Sequence, residues 1–223
     1  MPGAWGNRGK TMKHEELLAK YARQRRDIEA RLAHFESAGK KGGRALFEEL
    51  CFCLLTPQSK ARSCDAAICE LKERKLLFSG DAASIAKVLV RRTRFHNNKA
   101  HYLVEAREKF AANNFAPLAH TTFSGTERHA REYFLREVKG LGLKEASHYL
   151  RNVGRGKTLA ILDRHILKNL VKCKSIENVP ASLTEKRYLE IEKEMEKFCA
   201  RTGIPLAHLD LLFWAEETGE IFK

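Results

Sequence analysis

Residues 138–150 read VKGLGLKEASHYL. Helical runs lie on both sides of Gly140-Leu141-Gly142, so the stretch predicts a helix, a tight turn and a second helix from about residue 143. Val138, Leu143 and Ala146 have the spacing of helix-packing positions. Glycine permits positive φ and close approach by another backbone. Leu141 can then plug the gap between the helices while the glycine N–H groups point outward. Amides at a helix start form an anion site. A backbone phosphate would suit it, held without any reading of base sequence. A plain turn without a ligand is the alternative.

Working outward, the helical period dominates and strand alternation is scarce. An amphipathic helix is expected over about 13–38, ending before Gly39. GRALFEELCFCLLTPQS gives a strongly apolar helix closed near Pro57. Further helices are expected at 60–78, 82–91 with Asp81 as N-cap, 98–112, 126–139 and 143–151. A loop at 153–158 and the apolar TLAIL lead to a helix opening at Asp163. Two more cover about 183–201, where Ser182 and Glu185 suggest a capping box, and 205–218. The chain thus reads as all-α, about ten helices, compact and two-lobed. Residues 1–11 would be a flexible basic tail. A central lobe of about 45–151 carries the hairpin, and the N-terminal helix joins about 152–223 in the other.

Lys and Arg outnumber Asp and Glu by 41 to 28 in 223 residues, a formal charge of +13. Such an excess points to a polyanion, nucleic acid first. No apolar run approaches the roughly 18 residues that span a bilayer, so no membrane role is expected. The six cysteines form no Cys-x-x-Cys pair and no compact run of four, which excludes structural zinc and iron–sulfur patterns. Core thiols in a reducing, intracellular, cytoplasmic setting fit best. GRGKT at 154–158 resembles the end of a phosphate-binding loop, but position 151 is Arg where that motif needs Gly, and no strand precedes it.

Lys144 is placed at the first turn of the helix after the hairpin, where negative charge is normally favoured. Helix dipole, partial burial and a nearby cation such as Lys139 would depress its pKa. A neutral amine is a nucleophile that forms Schiff bases; a phosphate-binding lysine is an equal reading on this alone. Asp163, 19 residues on, follows Leu159–Leu162 and should cap the next helix. That separation suits one helix, one loop and a return, bringing a carboxylate back to Lys144. There it could stabilise a sugar cation and move protons.

VKGLGLKEASHYLRNVG followed by AILDRHIL resembles the helix–hairpin–helix, Gly/Pro-rich loop and Asp signature of the HhH-GPD DNA glycosylase superfamily. The loop departs from that pattern in having Gly154 and Gly156 but no proline. LCFCLLTPQSKA (50–61), RFHNNKAHYL (94–103) and LDLLFWAEETGEIFK (209–223) are together similar to the type-2 8-oxoguanine DNA glycosylases, chiefly archaeal. The resemblance implies a bifunctional enzyme with Lys144 as Schiff-base nucleophile and Asp163 as its carboxylate. Gly140 and Gly142 would hold the DNA backbone. Phe95 and Trp214 would stack on the flipped purine, and Asp210, four residues before Trp214 and so on its helical face, would accept from the base edge. The terminal carboxylate of Lys223 would accept the proton that N7 carries only in 8-oxoguanine. Phe95 and Trp214 as core aromatics, and Gln58 as a gap probe or a helix cap, stay open. His148 and His165 read as structural. The resemblance further implies a monomer acting on duplex DNA with no cofactor or catalytic metal. Other oxidised bases, or DNA binding without catalysis, are the competing functions.

Overall fold

The computed structural model describes residues 11–223. Apart from Thr11, the expected tail lies outside them. Helix is the regular structure throughout the described residues. The first six are α1 (His14–Gly39), α2 (Gly43–Leu55), α3 (Ala61–Glu73), α4 (Leu76–Ser79), α5 (Ala82–Leu89) and α6 (His96–Phe110). They are followed by α7 (Ala112–Phe123), α8 (Glu127–Glu137), α9 (Leu143–Asn152), α10 (Arg164–Lys172), α11 (Glu185–Thr202) and α12 (Leu206–Thr218).

Twelve helices replace the expected ten for local reasons. Lys75 adopts a left-handed backbone, φ 59°, and splits 60–78 into α3 and α4. α7 contains Asn113, Asn114 and Phe115 at positive φ, and Pro117, of which the proline reads in sequence as a break. The cap of α11 is Thr184, whose hydroxyl accepts from the Arg187 amide, not Ser182. Glu185 is therefore the first helical residue and cannot close a capping box. Asp81 and Asp163 cap α5 and α10 as expected.

Two compact units divide the chain. The larger holds Ala30–Ile161 with Lys223; the other holds Leu162–Phe222 with the described residues up to Glu29. Residues 30–38 and 152–161 thus belong with the hairpin, where sequence alone assigned them to the second lobe. Close backbone contact is the reason. A Cβ on Gly39 would lie 2.2 Å from the Val153 carbonyl oxygen, and one on Gly154 2.7 Å from the Glu36 Cα.

In the larger unit the second half of α2 is apolar all round, as a central helix must be: Leu46, Phe47 and the whole of Leu50–Leu55 are buried. Phe47 stacks on Phe115 of α7 at 4.6 Å. Phe134 of α8 meets Tyr149 of α9 at 4.9 Å, and the Tyr149 hydroxyl is hydrogen-bonded to Thr122 of α7 at 2.7 Å. These contacts fix the hairpin helices to the core. In the other unit the start of α1 is tied to α12: Lys20 and Gln24 both donate to Glu216, and Tyr21 is hydrogen-bonded to His208.

Candidate active site and nucleic-acid interface

The hairpin forms as the spacing predicts. Val138 is the C-cap of α8, the Leu141 amide donates to the Val138 carbonyl at 3.2 Å, and Leu141 is buried. The two glycines serve different needs. Gly140 has φ +92°, and a Cβ there would meet the Tyr102 ring at 2.4 Å, so the fold itself demands glycine. Gly142 is extended, φ −99° and ψ −178°, a backbone any residue can adopt. A Cβ there would meet only the Glu145 carboxylate, at 3.1 Å. Gly142 is the N-cap of α9 and supplies no side-chain acceptor to its amides; Glu145 folds back to accept from the Gly142 N–H at 3.3 Å.

Lys144 sits in the first turn of α9, its ammonium 2.9 Å from a Glu145 oxygen and its side chain about one-quarter exposed. Lys139, the expected opposing cation, turns away to Glu105 at 3.3 Å and lies over the Tyr102 ring. The group behind the hairpin is His148, buried against the Phe52 ring. Burial, then the cations Arg151, Lys144 and Lys223, hold its pKa well below the ordinary imidazole value. It is a neutral core histidine.

In the other unit Asp163 caps α10 with one oxygen: Oδ1 accepts from the amides of His165 at 2.7 Å and Ile166 at 2.8 Å. The second oxygen lies outside the cap. His165 joins this carboxylate to Trp214, meeting the indole edge-on at 5.3 Å. Its ring faces Glu217 at 3.6 Å, and Glu217 also receives Asn169 and Lys172. The indole Nε1 is buried and meets no acceptor among the described residues. Asp210 is buried one turn before Trp214.

The remaining base-recognition candidates lie in the larger unit. Phe95 is 53% exposed, not a core aromatic, and holds φ +56° ahead of α6 with Arg94 over its ring at 5.4 Å. Lys223 is pinned by its side chain, which sequence reasoning did not anticipate. Its ammonium is 2.9 Å from Asp65 and 3.2 Å from Glu49, and 4.5 Å above the Phe52 ring. Burial opposes that charge, but Glu49 and Asp65 outweigh it and keep the ammonium above its ordinary pKa. Lys144 and Lys223 both act on buried His148 and Cys53, so the structure brings these two predicted residues to one neighbourhood.

The family profile described as 8-oxoguanine DNA glycosylase matches residues 28–204. The chain belongs to the 8-oxoguanine DNA glycosylase family. A relative from Fusobacterium nucleatum, named 8-oxoguanine DNA glycosylase/AP lyase, is 43% identical over 211 residues, covering 93% of this chain and 96% of its own. The 8-oxoguanine DNA glycosylase of Thermotoga maritima superimposes with a TM-score of 0.83 at 29% identity, over 94% of this chain and 98% of that one. The Methanocaldococcus jannaschii 8-oxoguanine glycosylase/lyase, solved with a 15mer DNA containing 8-oxoguanine, gives 0.81 at 31% identity, over 93% and 99%.

Several residues shape the candidate site of this glycosylase-family chain without a local signal. Glu145 looks like ordinary first-turn acid, and Glu217 like a solvated helix end. Asp65 and Glu49 lie 158 and 174 residues from the lysine they hold. Lys99 lies with Leu103, Ala106 and Phe110 on the buried stripe of α6, where its charge reads only as an interruption. The GRGKT loop is filled from within: Glu127 accepts from the amides of Lys157 and Thr158 and from the Thr158 hydroxyl. Among the described residues no cluster of His, Cys, Asp and Glu is placed to hold a metal ion, and no helix is long and apolar enough to cross a membrane.

Proposed function

We propose that this chain is a bifunctional 8-oxoguanine DNA glycosylase/AP lyase that works on duplex DNA as an intracellular monomer. The observation that carries the reading is Lys144, an amine in the first turn of α9 directly behind a hairpin whose α9 amides have no side-chain cap. The relatives' names supply the lesion.

The +13 chain binds phosphates, with Gly140 and Gly142 on the backbone, and affinity falls as salt rises. The damaged purine is flipped out at a cost of a few kcal/mol in lost stacking. Phe95 and Trp214 stack on it, while Asp210 and Lys223 read its edge. Lys144 passes a proton on before attack; the Glu145 carboxylate is within reach of it. The free amine attacks the sugar C1′, the bond to the base breaks, and the base leaves with a proton. The outer oxygen of Asp163 stabilises the positive charge that gathers on the sugar. The resulting aminal opens: the C1′–O4′ bond breaks, O4′ takes up a proton, and C1′ is left as a Lys144 iminium. Loss of a C2′ proton expels the 3′ phosphate and cuts the strand, and water then frees the lysine. Atoms and charges balance with DNA and water alone.

Borohydride trapping on a duplex with 8-oxoguanine opposite cytosine tests the reading. The wild type should form a covalent adduct and Lys144→Gln none. An adduct with Lys144→Gln overturns the nucleophile assignment. No adduct with the wild type, or a preference for oxidised pyrimidines across a lesion panel, overturns the substrate.

A further inference from the structure

Lys99 is 3% exposed, on the apolar stripe of α6. Its ammonium donates to the carbonyls of Leu55 at 2.7 Å and Pro57 at 2.7 Å, and to the Ser59 hydroxyl at 2.9 Å. Three donors meet three acceptors. Ser59 is the hub of this arrangement. Its oxygen also accepts from the Arg94 amide at 3.0 Å, and its proton goes to the Pro57 carbonyl. The Lys99 amide in turn donates to the Phe95 carbonyl at 3.0 Å. Two loops, one after α2 and one before α6, are thus tied to a single buried cation.

The loop after α2 carries exposed Gln58 at φ +53°, and the loop before α6 carries exposed Arg91 at +63° and Phe95 at +56°. A left-handed backbone is unusual for a glutamine and a genuine outlier for a bulky aromatic. Such conformations persist only where the surroundings over-determine them, and the Lys99–Ser59 network supplies that determination for both. We infer that Lys99 is a positioning residue that locks Gln58 and Phe95 into one rigid edge, with Phe95 set against the flipped base and Gln58 entering the gap that base leaves in the duplex. The inference rests on the proposed action on DNA and adds the element that holds the probe.

Buried lysine is not a neutral choice for a helix cap. Burial pulls its pKa down to about 8, opposed by Cys64 and Glu145 and furthered by Lys144. These are the titratable groups facing it from α3 and α9. The Cys64 thiol, pushed up to about 11 by its own burial, stays neutral across that range. Above pH 8 the amine keeps two donors for three acceptors, so the edge should loosen while the protein stays folded.

The test uses the full chain and a duplex holding one tetrahydrofuran abasic analogue, which no glycosylase can cleave, against the same duplex undamaged. Affinities are read by fluorescence anisotropy. Lys99→Met and Ser59→Ala should each lose roughly tenfold in preference for the analogue, about the worth of one stacked base, with undamaged-duplex affinity nearly unchanged. The wild-type preference should fall as pH passes 8, and Ser59→Ala should be flatter. Equal weakening on both duplexes, no change on either, or a wild type without preference overturns the inference. If Lys99→Met fails to melt cooperatively, Ser59→Ala decides. Because binding is read on an uncleavable site, a wild type that cannot excise 8-oxoguanine would sink the proposed activity and leave this result standing.

Discussion

α9 and α10 begin with the same problem and solve it in opposite ways. Both have early amides that lack intrahelical partners and a positive dipole end. At α10 the carboxylate of Asp163 answers with one oxygen on two amides. At α9 the cap is Gly142, it offers no side-chain acceptor to the amides, and a lysine sits in the first turn with Glu145 as a near counter-charge. The satisfied end gains stability; the open end keeps its amides and its amine for something from outside. The difference teaches that Asp163 is two residues in one, a cap through Oδ1 and a free carboxylate oxygen, whereas the function of α9 depends on what the fold withholds.

Substitutions at Asp163 should separate its two parts. Asn is an excellent cap, so Asp163→Asn should melt close to wild type while base excision drops by about 10²–10⁴-fold, the usual worth of a proton-handling or charge-stabilising group. Asp163→Ala should lose as much rate and about 1 kcal/mol of stability besides. Single-turnover excision with thermal melting reads both. Unchanged excision in Asp163→Asn would reduce the residue to a cap.

A smaller effect sharpens the α9 side. Gly140→Ala must strain a backbone at φ +92° and push into Tyr102, costing on the order of 1–3 kcal/mol. Gly142→Ala meets only the tip of Glu145 and should keep its melting temperature while binding duplexes of any sequence more weakly. Equal melting of the two variants would contradict the division between a glycine the fold needs and one the ligand needs.

The smallest expected effect compares the two units through one histidine each. His148 and His208 both have pKa values lowered by burial, His148 the more strongly. Near pH 7.5 both are neutral in folded and unfolded chains. Below the unfolded value of about 6.5 the unfolded chain takes up protons that the folded one refuses, so stability falls with pH, by at most about 1.4 kcal/mol per unit per group. Denaturant titrations between pH 7.5 and 5 should show a shallower loss in His148→Gln than in the wild type, and a lesser flattening in His208→Asn.

The parts of this arrangement that follow from short-range rules were legible. Gly-Leu-Gly between two apolar periods required a hairpin, and Asp163 at the end of an apolar run required a cap. α7 was not, because Asn113 to Phe115 turn left-handed and Pro117 breaks the pattern from which a helix is read. Thr184 displaced Ser182 because either hydroxyl can cap and only the turn geometry chooses. Lys99 was hidden by its charge. On a stripe of Leu103, Ala106 and Phe110, a lysine reads as an interruption unless its three acceptors are known, and those lie 40 to 44 residues away.

Lys223 has a consequence for how the molecule is made. Glu49 and Asp65 are synthesised early, in and just after α2, yet the cation that joins them comes 62 residues after Ile161, since 223 − 161 = 62. Through that interval on the ribosome, the larger unit holds two acids and the Phe52 ring without the Lys223 ammonium. Lys223 is therefore a closing stitch, and a nascent chain stalled anywhere before it carries the hairpin and Lys144 in a unit whose acid pair still lacks its cation.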